Sequence, residues 1–283
     1  MKPNFETINA ICPIYAASDR QRPIPIGTGT LLDFGTGRFL VTAAHVHDEY
    51  TEHKVELYTV GEGVLLQLPQ PFQKTDLPAS GKRDDDRLDF AFVRLEDSFA
   101  DKIAKDRFFL PFSLIDANDC LGVGVRYMFT GFPANRDESQ FGLKKVRPHR
   151  FSFTGGTVTP KRMQELGITP ATHIAVSFDR EQAFDENDVP ACFPLPGGMS
   201  GGAVWRGDGD FRLWLKEKPV RLVGIGIENP STDRVMIGVR IHLVLLAITK
   251  IYPDLKQYVP MRDGFTAENH RCVKLVATSQ ING

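Results

Sequence analysis

Three side chains suited to acyl transfer stand far apart in this chain. They are His45 after Thr42-Ala43-Ala44, Asp89 after Leu88, and Ser200 within Gly198-Met199-Ser200-Gly201-Gly202. A serine hydroxyl is a weak nucleophile at neutral pH until a base takes its proton during attack. Histidine suits that task because its ordinary pKa lies near neutrality. A carboxylate on the far side of the ring fixes the tautomer and stabilises the imidazolium that forms. The oxyanion needs donors already in place, and peptide N–H groups at a glycine turn supply them without a charged side chain. Ser200 is therefore the expected nucleophile, His45 the general base and acid, and Asp89 the orienting carboxylate. The N–H groups of Gly198 and Ser200 are the expected oxyanion donors.

Each residue alone has a plainer reading: a serine in a surface turn, a histidine satisfied in a core, an aspartate among several. Position separates them from their rivals. Phe39-Leu40-Val41 reads as a strand that delivers His45 to a small-residue turn, and His47 would point away if that strand persisted. Asp84, Asp85 and Asp86 lie with Lys82, Arg83 and Arg87 in a hydrophilic run that reads as solvated. Asp89 instead opens Asp89-Phe90-Ala91-Phe92-Val93-Arg94-Leu95, which alternates like a strand. The stretch around Ser200 also satisfies Gly-x-Ser-x-Gly, the nucleophile elbow of α/β-hydrolases. That elbow needs a buried strand before the serine and a helix after it. Val189 to Pro196 carries three prolines, and Ala203-Val204-Trp205 reads as strand, so the elbow is rejected.

The order His, Asp, Ser and the three local contexts resemble the trypsin/chymotrypsin-like serine peptidase family, in its prokaryotic-type, intracellular form, from about Ile8 to Ile251. Gly27-Thr28-Gly29-Thr30-Leu31-Leu32 is similar to the family's glycine-containing strand, and Phe39 to His45 to its histidine strand. Gly201 to Trp205 resembles the strand after the nucleophile. Leu222 to Ile227 resembles the wall of the primary specificity pocket, with Ile227-Glu228-Asn229 as the edge for an extended substrate. The resemblance implies an acyl-enzyme endopeptidase acting on a protein or peptide, with no cofactor. It places Pro194, six residues before the nucleophile, at the pocket base. An uncharged base there favours a small or apolar residue before the cut, unless Glu228 turns in to attract a basic one. Met199 replaces the aspartate that pairs with a newly cleaved amino terminus in digestive members, so activation by that ion pair is not expected. The alternative is a latent or inactive protease-fold binding or sensor module, held by a regulatory protein partner.

The elements around these residues are short strands punctuated by glycine and proline, from Thr30 to Leu95 and again from Tyr127 to Arg240. With the resemblance they imply an all-β fold of two six-stranded antiparallel barrels. The first, residues 8–114, carries His45 and Asp89. The second, residues 115–251, carries Ser200 and a closing helix over Ile241 to Ile251, whose apolar positions recur at helical spacing. Residues 252–283 form a tail in which Arg271 to Ala277 alternates well enough for an added strand.

Composition excludes little but consistently. The 283 residues suffice for a sizeable core, and 42% hydrophobic with 24% charged residues is ordinary for a soluble protein. A formal net charge of −1 gives no reason to expect nucleic acid or an anionic membrane as a partner. No signal peptide or membrane span is read, and a cytoplasmic protein is expected. Cys12, Cys120, Cys192 and Cys272 are widely spread, with no zinc-like pair, and read as reduced thiols. The acids between Phe178 and Pro190 read as a solvated connection, and no metal site is expected.

Overall fold

The protein is described by a computed structural model covering residues 7–17, 23–119, 125–137, 146–179, 181, 183–185, 187, 189–192, 195–208, 220–228, 234–258 and 275–277. It is mostly β, in two antiparallel sheets. The first contains β1 (Ile11–Ala17), β2 (Ile24–Asp33), β3 (Arg38–Ala43), β4 (Glu56–Gly61), β5 (Val64–Gln67), β6 (Gln73–Thr75) and β7 (Phe90–Leu95). The two-residue β8 (Leu110–Pro111) runs parallel beside β2. The second contains β9 (Val125–Gly131), β10 (Phe151–Gly156), β11 (His173–Ser177), β12 (Ala183–Phe184), β13 (Pro190–Ala191), β14 (Ala203–Asp208), β15 (Arg221–Glu228) and β16 (Val235–Arg240). A last strand, β17 (Leu275–Ala277), returns to the first sheet beside β6.

Pairing follows β17-β6-β7-β3-β2-β1-β4-β5 in the first sheet and β11-β16-β15-β14-β9-β10-β12-β13 in the second. Among the described residues, strands of four residues or more number six in each sheet, as the sequence leads one to expect; the others are two- or three-residue additions. The second sheet curls back on itself, because Thr157 bridges to Val176 and the Val158 N–H reaches the Ala175 carbonyl, joining β10 to β11.

Three apolar cores explain the arrangement. One lies within the first sheet, around Leu31, Leu40, Phe72 and Ala91. A second lies within the other sheet, around Tyr127, Phe129, Phe153 and Val204. The third joins the sheets, with Phe39, Val41, Phe90 and Phe92 from one and Trp205, Ile225, Ile237 and Val239 from the other. Strands buried on both faces lose the exposed positions that alternation implies, and five of the six residues of β7 are buried.

Among the described residues, four α-helices accompany the sheets: α1 (Ala44–His53), α2 (Asp97–Ala104), α3 (Pro160–Glu165) and α4 (Ile241–Ile251). Helix α4 matches the expected closing helix residue for residue and packs into the shared core, although Ile251 itself is exposed. Helix α1 was not expected: the chain leaves β3 directly into a helix. A buried ionic cluster pins the second sheet, where Asp119 accepts from Arg206 at 2.6 Å, Arg240 at 2.9 Å and the Tyr127 hydroxyl at 2.9 Å. No helix among the described residues is long and apolar enough to cross a membrane. Cys12 is buried and Cys192 exposed, and neither is in a disulfide; Cys120 and Cys272 lie outside the described residues.

Candidate active site

Helix α1 starts with an unmet need. Its first N–H groups have no partner within the helix, and its N-cap residue is Ala43, whose methyl group cannot accept a hydrogen bond. Asp89 supplies the acceptors from 44 residues away. Its main-chain oxygen accepts from the Ala44 N–H at 3.1 Å, and its Oδ1 from the His45 N–H at 2.9 Å. Its Oδ2 lies 2.6 Å from Nδ1 of the same histidine. An ionised carboxylate only accepts, so the network assigns the ring proton to Nδ1 and leaves Nε2 as the basic nitrogen. Asp89 adopts φ 37°, a left-handed conformation in which aspartate is tolerated better than most residues.

Burial sets the electrostatics. It disfavours charge on His45, but the hydrogen bond and charge of Asp89 outweigh it and hold the histidine pKa above its ordinary 6.5. Burial also raises Asp89, and the donors of His45 offset part of that cost. The His45 side chain is still 41% exposed while that of Asp89 is 9% exposed, so the ring can meet a substrate and its acid cannot.

The loop around Ser200 is held from two sides. From the first sheet, the Thr28 hydroxyl donates to the Gly198 carbonyl at 2.8 Å and its N–H to the Ser200 carbonyl at 2.8 Å. Thr30 donates to the Gly201 carbonyl at 2.9 Å, and Thr42, three residues before His45, donates to the Thr28 carbonyl at 2.8 Å. From the second sheet, Gly226 of β15 exchanges backbone bonds with Gly201 and Gly202, each 2.7 Å. Gly198 and Gly201 have φ of 91° and 87°. A Cβ on Gly198 would lie 2.7 Å from the Phe132 carbonyl oxygen, and one on Gly201 would collide with that of Thr28. Glycine is therefore required twice, on either side of the serine.

The peptide planes orient the turn. The Gly197 carbonyl accepts from the Ala134 N–H at 2.7 Å, and the Met199 carbonyl from the Gly202 N–H at 3.0 Å. In a trans peptide the following N–H points opposite to the carbonyl. The N–H groups of Gly198 and Ser200 thus face away from those partners, and neither donates a hydrogen bond to another described residue.

His45, Asp89 and Ser200 line one cleft together with Arg83, Asp84, Asp86 and Ile227. Among the described residues no hydrogen bond joins Ser200 to His45. Ile227 is buried and sits at an irregularity in β15, between the pairs Gly226–Gly238 and Glu228–Ile237. Pairing of β15 with β14 ends at Ile225, so the backbone at Ile227 and Glu228 has no β14 partner there. Pro194 and Asn229 lie outside the described residues.

Two expectations need correction. The run Lys82 to Arg87 is not uniformly solvated: the side chains of Arg83 and Asp86 are each 9% exposed and form an ion pair at 2.7 Å. His47 is turned from His45 by helical rather than strand geometry; it is buried, faces Gln70 Oε1 at 3.1 Å and stacks on Phe72. Thr28, Thr30 and Thr42 were not singled out, since threonine is ordinary in strands. A glycine-rich strand beside a candidate catalytic loop is the signal that points to them.

No family model and no curated protein matches the chain. Among solved structures it is similar to one described for the coupled folding and binding of the intrinsically disordered Sesbania mosaic virus VPg protein. That match has 14% identity and a TM-score of 0.44, over 83% of this chain and 87% of the other. It is also similar to a Glu endopeptidase in complex with MPD, at 14% identity and TM-score 0.45, over 86% and 91%. A third similar structure is catalytically inactive tobacco etch virus protease complexed with substrate, at 13% identity and TM-score 0.44, over 99% and 91%.

Proposed function

We propose that the protein is a chymotrypsin-like serine endopeptidase that cleaves peptide bonds through an acyl-enzyme. The observation that carries this reading is the His45–Asp89 contact beside Ser200 in one cleft. Ser200 attacks the scissile carbonyl while Nε2 of His45 takes its proton. Asp89 holds the ring and stabilises the imidazolium. The oxyanion is received by the N–H groups of Gly198 and Ser200, which the trans peptide geometry leaves unspent. His45 then returns the proton to the leaving amine, and water repeats the sequence on the ester. The Ser200–His45 hydrogen bond forms as substrate closes the cleft, since catalytic hydrogen bonds are often loose without substrate. The backbone at Ile227 and Glu228 offers an edge for an extended peptide.

The test is labelling with a fluorophosphonate, which acylates an activated serine. Labelling of wild type, lost in both Ser200→Ala and His45→Ala, is the expected result. A folded wild-type protein that resists the probe would refute the hydrolase reading and leave a protease-shaped binding module.

A further inference from the structure

The face of α1 one turn beyond His45 carries an ionic network that no step of the proposed reaction uses. Asp48 Oδ2 accepts from Arg83 Nε at 2.7 Å, and its Oδ1 from Lys74 of β6 at 2.5 Å. Arg83 Nη1 donates to Asp86 Oδ2 at 2.7 Å and to the main-chain oxygen of Thr75 at 3.1 Å. The Thr75 hydroxyl donates to the same Asp86 oxygen at 2.5 Å. The side chains of Arg83, Asp48 and Asp86 are all at least nine-tenths buried. Asp48 lies three residues after His45, and Asp86 three residues before Asp89. Arg83 therefore ties the helix that carries the base to the segment that delivers its carboxylate, and it lines the cleft with both.

We propose that Arg83 is a positioning residue for the His45–Asp89 pair, acting through Asp48 on one side and Asp86 on the other. The guanidinium is suited to this because its planar fork sets the angle as well as the distance between two carboxylates, which an ammonium does not. Its Nε meets Asp48 and its Nη1 meets Asp86, so the geometry serves the pair of contacts to the two segments. Burial works against charge on Asp48, yet Lys74 and Arg83 outweigh it and hold the carboxyl below its usual range, so the tie persists at any pH where the base is neutral.

This inference rests on the proposed function for its kinetic arm only. The variants are Arg83→Lys, Asp48→Asn and the double substitution, measured in the full-length chain. The rate of fluorophosphonate labelling is expected to fall roughly tenfold to a hundredfold in each single variant, the scale of a misplaced catalytic group. The double variant should lose little more than either alone, because both break one tie. The second readout is the far-downfield proton resonance of the His45 Nδ1–H, which reports the bond to Asp89 whether or not the protein turns over. It should broaden or move upfield in both variants while the melting transition stays cooperative. An unchanged resonance in both overturns the positioning role, as does a double variant whose losses multiply. A wild type that resists the probe yet shows a resonance sensitive to Arg83→Lys would sink the hydrolase reading alone.

Discussion

Asp89 holds His45 at two points, its Oδ1 on the backbone N–H at 2.9 Å and its Oδ2 on the ring Nδ1 at 2.6 Å. One carboxylate thus starts the helix and sets the tautomer of the base within it. Asparagine keeps the volume but presents only one acceptor oxygen, so Asp89→Asn must sacrifice one contact. If the amide faces the ring, Nδ1 can no longer donate and Nε2 carries the proton. Reactivity of Ser200 is expected to fall by roughly four orders of magnitude, the scale seen when a triad histidine is forced into the wrong tautomer. If the amide faces the helix instead, loss of the cap costs about 1 kcal/mol of stability. Labelling rate and thermal unfolding, measured together, separate the two.

The same contact determines the pH dependence. In the proposed reaction only neutral His45 can take the proton of Ser200, so reactivity is expected to fall as pH drops through the histidine pKa. Asp89 holds that pKa above the ordinary 6.5, and the acid limb should lie correspondingly above it. In Asp89→Asn the raising influence is gone while burial still opposes charge, so the limb should move to lower pH. A residual rate in that variant with an unmoved acid limb would show that another group titrates.

The elements that could be read directly are those whose instructions are local. Strand β7, strand β16 and helix α4 lie where alternation, a continuous apolar run and helical spacing respectively put them. Helix α1 was not legible because its start signal is not adjacent: Ala43 cannot cap, and Asp89 does so through the fold. The Arg83 network was hidden for the same reason. A run of mixed charges has the composition of a solvated loop, and only the arrival of Asp48 and Thr75 turns it into a buried tie. The three groups proposed to react could be singled out because acyl transfer limits which residue types can serve, whereas the threonines that hold Ser200 act through ordinary strand chemistry.

Thr28 is where the two sheets meet at the proposed nucleophile. Its hydroxyl donates to the Gly198 carbonyl and accepts from the Phe132 N–H at 3.0 Å. Thr28→Val keeps the shape and leaves both backbone groups without that partner, at about 1–3 kcal/mol for each buried group. The Gly198 carbonyl belongs to the peptide between the two expected oxyanion donors, so the turn should loosen and their spacing drift, and a displaced donor is worth up to roughly a hundredfold to a thousandfold in rate. Turnover of a peptide substrate should fall by more than substrate affinity. An equal loss in affinity with unchanged turnover would assign Thr28 to binding instead.

His47 makes the protein sensitive to acid independently of its chemistry. It is fully buried, and burial pushes its pKa down to about 4. A base whose pKa is lower folded than unfolded binds fewer protons in the native state, so its effect on stability is absent above about pH 6.5 and grows as pH falls toward 4. The loss amounts to about 3 kcal/mol across that window. His45 has the opposite sign: its raised pKa adds stability at acid pH, which fades as pH rises through the folded value. His47→Gln removes the acid-sensitive group without touching the pair at the cleft. Urea unfolding at pH 7 and pH 4.5 should show a smaller difference in the variant than in wild type.

The carboxy-terminal strand gives the site a dependence on a distant part of the chain. Strand β17 pairs with β6, Leu275 with Thr75 and Val276 with Lys74. Those partners are the residues whose side chains hold Asp86 and Asp48. Strand β6 has only three residues and pairs with β7 on its other side through two of them, so without β17 it is a short edge held on one side. Such edges open locally at little cost. A chain ended after Tyr258 keeps every residue of the three cores described above and is expected to stay folded. Hydrogen exchange at β6 should quicken, and labelling of Ser200 should slow by about tenfold as the tie to α1 loosens. Faster exchange with unchanged labelling would confine the role of the strand to covering an edge, and faster labelling would make it a restraint on the site.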